Sequence, residues 1–65
     1  MRNARANSKP YDYVGAMFEW EEGNLDEEEE TRLFQYLVDS GLAWSLQGTY
    51  GRRAHALIEA GRVDM

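Results

Sequence analysis

From Tyr11 onward, large apolar side chains recur at the spacing of helical turns. Tyr13, Val14, Met17, Phe18 and Trp20 fall along one stripe, while Asp12, Gly15, Glu19 and Glu22 point away from it. Asp12 has the side chain of an N-cap and Gly23 supplies a left-handed stop, so a first helix is expected over about residues 12 to 22. Gly15, inside it, costs about 1 kcal/mol relative to alanine, which suggests that another backbone approaches closely there.

After the short link Asn24-Leu25, Asp26 opens a second helix with Glu29 in the capping-box position. The glutamates that follow suit the positive end of the helix dipole. Leu33, Phe34, Leu37 and Val38 form its apolar face, with Glu30 one turn above and Tyr36 at the margin, and Ser40-Gly41 ends it near Asp39. The segment Leu42 to Gly48 alternates like a strand, yet a single strand has nothing to pair with in so short a chain. A helical turn between Gly41 and Gly48 is the better reading. Thr49 is then expected to cap a last helix, Tyr50 to Ala60, with Tyr50, Ala54, Leu57 and Ile58 as its stripe and Gly61 as its stop. Val63 is placed to fold back after that glycine. The pattern predicts an all-α fold: a small bundle of three helices with a short linking helical turn. Residues 1–10 read as a flexible basic arm bounded by Pro10, and residues 11–63 as one helical domain.

Length narrows the options. Sixty-five residues bury only about 60% of the surface of the unfolded chain, and small chains usually add disulfides, a metal or a partner subunit. There is no cysteine and one histidine, His55, which excludes disulfides and thiolate zinc sites. Tight helix packing or a homodimer is left as the supplement. Apolar runs fall well short of the roughly 18 to 20 residues that cross a bilayer, and no apolar leader stands at the N-terminus. A soluble protein of the cytoplasm, with no membrane partner, is the expectation.

The formal net charge of -5 is distributed unevenly. Arg2, Arg5 and Lys9 precede Pro10 without an acid, whereas residues 11–50 hold ten carboxylates against Arg32 alone. Arg52, Arg53 and Arg62 then oppose Glu59 and Asp64. Such a middle field repels nucleic acid and attracts basic partners within a screening length of about 8 Å.

Candidate chemistry is sparse. The run EEGNLDEEEE lacks the register of an EF-hand, and His55 has no glutamate three residues before it for a di-metal bundle. No nucleophile stands with His55 in a catalytic arrangement, so it reads as a surface histidine pairing with Glu59. No metal, cofactor or enzymatic activity is expected. The carboxylates are either a solubilising face or a negative surface for a partner. Arg52 and Arg53 sit early in the last helix, where the dipole disfavours cations. Either they bridge to the glutamates of the first two helices, or one is held for an external anion. Trp20, between two acids, is a core residue or an exposed anchor. If a partner-binding site exists, Glu19, Trp20, Glu22, Asp26, Glu27, Glu28, Arg52 and Arg53 are its candidates.

The words EEGNLDE, LFQYL, GLAW, LQG, YGR and LIEAG, spread over about residues 19 to 61, resemble a family of very small proteins encoded by tailed bacteriophages. The resemblance brings no catalytic residue to carry over. It implies an accessory factor acting by stoichiometric binding to a host protein, including inhibition of a host defence or nucleic-acid enzyme by a negative surface. The alternative is a structural or assembly component that forms a homo-oligomer through apolar helix faces. Direct nucleic-acid binding through Arg2, Arg5, Lys9, Arg52 and Arg53 is the weakest reading.

Overall fold

The computed structural model describes residues 10–65, and the basic arm expected before Pro10 lies outside them. Three helices follow in order: α1 (Tyr13–Glu21), α2 (Glu27–Asp39) and α3 (Gly48–Glu59), with a 3-10 turn at Leu42–Trp44 between the last two. There is no strand among the described residues. The fold is a small all-α bundle.

The helix ends form as the side chains dictate. The Asp12 carboxylate accepts the Gly15 N–H at 2.9 Å. Asp26 and Glu29 make the reciprocal capping box, Glu29 N–H to Asp26 Oδ1 at 2.7 Å and Asp26 N–H to Glu29 Oε1 at 3.0 Å. At the other ends, Gly23 and Gly61 take positive φ. Around each, the next amide reaches back to the carbonyl of the preceding turn, Asn24 to Glu19 and Arg62 to Leu57, both at 2.9 Å. Thr49 does not cap α3. The helix begins two residues earlier than expected, at Gly48, with Gln47 at the cap and no side-chain hydrogen bond there; Thr49 already lies within the first turn.

The central element is α2. It packs against α1, the 3-10 turn and α3, whereas the backbones of α1 and α3 stay apart and meet through side chains. Leu33, Phe34 and Leu37 are wholly buried, joined by Val38, Ala43, Tyr50, Ala54, Leu57 and Val63. Val63 does fold back onto this core. Burying a large aliphatic or aromatic side chain stabilises by about 1.5–3 kcal/mol, so these residues supply most of the drive to fold.

Aromatic rings join α1 to the rest. Trp20 packs edge-on against Phe34 with centroids 5.1 Å apart and lies 4.9 Å from the Tyr50 ring. At the other end of α1, Tyr13 stacks on Tyr36 at 5.0 Å, Tyr11 leans on the same ring at 5.3 Å, and the Arg32 guanidinium lies over Tyr11. Burial raises the Tyr11 hydroxyl above its usual pKa, with Arg32 opposing.

Two expectations for α1 are corrected. Val14 and Phe18 do not face the core. With about 100° of turn per residue, the five apolar positions span too wide an arc for α2 to cover, and the edge carrying Tyr13, Met17 and Trp20 is the one packed against the core. Gly15 serves no backbone approach either: a Cβ there would collide with the Asp12 carboxylate that caps the helix. Glycine at 15 leaves room for the cap.

This gives a thermodynamic cycle. In the Asp12→Ala background, Gly15→Ala should stabilise by about 0.5–1 kcal/mol, the ordinary propensity gain. In the natural sequence the same change should be close to neutral, because it disturbs a cap worth about 1 kcal/mol. Urea unfolding of the four proteins measures both values.

Candidate functional site

Glu30 occupies the buried side of α2 one turn before Leu33 and Phe34, and a carboxylate there needs partners. It has them from three other parts of the chain. Trp20 Nε1 of α1 donates to Oε2 at 2.9 Å. Arg53 of α3 donates in a fork, Nε to Oε2 at 2.8 Å and Nη2 to Oε1 at 2.9 Å. Arg62, beyond α3, adds Nη2 to Oε1 at 3.4 Å, and also donates to Thr31 Oγ1 and the Glu27 carbonyl at 2.6 Å each. The Arg53 hydrogen bonds lead in lowering the Glu30 carboxyl to about 2; burial opposes them, and Trp20 and the charges of Arg53 and Arg62 assist. Nearby, the Tyr50 hydroxyl donates to Glu21. Burial first, and that bond second, push the Tyr50 hydroxyl far above its usual range.

This cluster fixes the C-terminal half of α1, and with it the outward face. There Val14 and Phe18, four residues apart, are 57% and 64% exposed. With Met17 and Glu21 they line a shallow depression of about 170 Å³. From Pro10 to Thr31 the chain carries nine carboxylates and no lysine or arginine, so every charged residue that borders the apolar strip on its own helix is an acid. Glu22 follows it, and the acidic start of α2 lies across the Gly23 turn.

The predicted site residues separate into two groups. Glu19, Glu22, Asp26, Glu27, Glu28 and Arg52 are exposed. Of these, Glu19 accepts from Asn24 at 3.0 Å, Asp26 is committed to its cap, and Glu27 lies 4.0 Å from Arg62. Trp20 and Arg53 are drawn inward to Glu30, so Trp20 is a packed core-edge residue rather than an exposed anchor. Arg53 makes the expected bridge to the second helix. Arg52 makes no ion pair among the described residues and lays its guanidinium back toward Gly48. His55 is not paired with Glu59; its ring lies 5.2 Å from that of Trp44, itself 45% exposed. Sequence reasoning missed Val14 and Phe18 as surface residues, and missed Glu30 as the meeting point. The signal for the latter was present: a glutamate on the apolar face of one helix and an arginine beside the apolar stripe of another.

Among the described residues no group of histidine and carboxylate side chains is disposed to hold a metal ion, and no helix is long and apolar enough to cross a membrane. Residues 8–65 match the family described as Domain of unknown function (DUF7417). The chain belongs to that family. The DUF7417 match spans α1, α2, α3 and the segment after them, so the Glu30 cluster and the outward face of α1 both lie within the family's domain. Comparison with curated proteins and with solved structures gave no match.

The Glu30 cluster sets a pH dependence. A carboxyl lowered from 4.5 to about 2 on folding contributes stability that is complete above the unfolded value and is lost as pH falls from about 4.5 toward 2. Allowing for solvent around the part-exposed Arg53, that contribution is on the order of 2 kcal/mol. Urea unfolding at pH 7 and pH 3 should show most of this loss in the natural sequence. Glu30→Gln should be less stable at pH 7 and should lack this component of the pH dependence.

Proposed function

We propose that this DUF7417 protein is a small phage-type accessory factor that acts without catalysis, by stoichiometric binding to a host protein in the host cytoplasm. Occupying a site on a host defence or nucleic-acid enzyme, and so inhibiting it, is the activity this reading assigns. The observation that carries it is the outward pair Val14 and Phe18, 57% and 64% exposed in a chain with few large apolar residues to spare for its core. A small domain that turns a phenylalanine to solvent beside an apolar depression has the form of a recognition surface. The adjoining carboxylates Glu21, Glu22, Glu27 and Glu28 add long-range attraction for a basic surface, which raises the association rate and favours the correct partner. The resemblance of the words from EEGNLDE to LIEAG to small tailed-phage proteins supplies the setting.

Affinity capture from host lysate, followed by native mass spectrometry, tests the proposal. A single host protein should be retained at one-to-one stoichiometry, more weakly as salt rises. Phe18→Ser should reduce recovery at least tenfold, and Glu27→Gln with Glu28→Gln severalfold. Glu30 must be left intact, since its loss would act through stability. Recovery of nothing above background would end this reading.

A further inference from the structure

The exposed strip of α1 has a chemistry that selects among occupants. Val14, Met17 and Phe18 form its apolar floor and Glu21 lines the same depression. Glu22 stands next on the helix. The Tyr50 hydroxyl donates to Glu21, which anchors that carboxylate at the rim instead of leaving it to swing away. No basic residue of α1 borders the strip, because residues 10–31 contain none.

The arginines of the described residues do not relieve this charge. Residues 10–65 hold four arginines against all twelve carboxylates of the chain. Arg53 is committed to Glu30, Arg62 to Glu30, Thr31 and the Glu27 carbonyl, and Arg32 to the Tyr11 ring. Neither Arg32 nor Arg52 makes an ion pair among the described residues, and only Arg52 has no aromatic or carboxylate partner there. A second copy is therefore a poor occupant. In a two-fold contact the same patch lies on both sides, so Glu21 and Glu22 of both copies would enter one interface to which α1 brings no cation.

Resting on the binding role proposed above, we infer that the Val14, Met17, Phe18 and Glu21 strip docks a cationic amphipathic helix of the partner protein, one that presents an apolar side chain flanked by lysine or arginine. The apolar side chain fills the depression between Val14 and Phe18. The flanking cations meet Glu21 and Glu22. Helix-on-helix docking of this kind uses residues spaced three and four apart, and Val14, Met17, Phe18 and Glu21 follow that spacing.

The test uses the full chain and a synthetic amphipathic helical peptide with leucines on one face and flanking lysines. Isotope-labelled protein should show amide shifts centred on Val14 to Glu22. Phe18→Ser should weaken peptide binding at least tenfold, and Glu21→Gln with Glu22→Gln severalfold with a shallower salt dependence. A peptide with glutamate for lysine should not bind. Should Phe18→Ser disturb the helix content, Val14→Thr, nearly isosteric, carries the same expectation at about threefold. Equal binding by these variants, or shifts centred on Glu27 and Glu28, would overturn the inference. So would a free-protein dimer abolished by Phe18→Ser, which names a second copy as occupant, or shifts within residues 1–9 in that variant, which name the chain's own arm. A host complex captured intact while the peptide binds elsewhere would reject this inference and leave the stoichiometric role standing. Absence of any host complex would reject the role itself.

Discussion

A single carboxylate, that of Glu30, holds this small domain in its particular arrangement. A charge removed from water is costly unless paired and fully hydrogen-bonded, and Glu30 is satisfied only when Trp20 of α1, Arg53 of α3 and Arg62 beyond it converge on it. Apolar burial of Phe34, Leu33 and Leu37 supplies the bulk of the stabilisation, but it is non-directional. The Glu30 cluster is directional. It fixes the rotation of α1 about its own axis, because the indole N–H must point at one oxygen.

That rotation has an outcome on the other side of the helix. With Trp20 and Met17 turned inward, Val14 and Phe18 are turned outward, since about 100° separates successive residues. α2 offers one apolar face and serves α1, the 3-10 turn and α3 with it. It has no surface left for the remaining edge of α1. The exposed strip thus follows from the same geometry that satisfies the half-buried Glu30 carboxylate.

Most of the fold was legible in the sequence because its determinants are local. The capping box at Asp26 and Glu29, the glycine stops at 23, 41 and 61, and the apolar spacing of Leu33, Phe34 and Leu37 each act within a turn or two of helix. The choice of face for α1 was not legible, because its apolar residues span an arc wider than one contact and the selection is made by Tyr36, Phe34 and Tyr50 on other elements. The Asp12 cap was foreseen, yet its steric demand on Gly15 is visible only once the carboxylate has a position. Arg52 and Arg53 are neighbours of one type with opposite fates. About 100° of helix separates them, and it places one beside Tyr50 and Ala54 and the other over Gly48. Trp20 is the instructive case for the site: between two acids it reads either as core or as an exposed anchor, and what decides is its indole N–H, which Glu30 takes up.

The segment after α3 joins the chain's last residues to α2. Gln35 and Asp64 exchange a reciprocal pair of hydrogen bonds at 2.8 Å, an amide side chain taking the place of a neighbouring strand, while Arg62 is bonded to Thr31 and the Glu27 carbonyl and Val63 is buried in the core. These links span 29 to 35 residues along the chain, in a molecule whose remaining contacts are mostly short-range. Closing them carries the largest loop-closure cost among these contacts and completes the core with Val63, so no helical hairpin is a finished subunit by itself. The molecule is built to melt as one cooperative unit rather than to fray helix by helix.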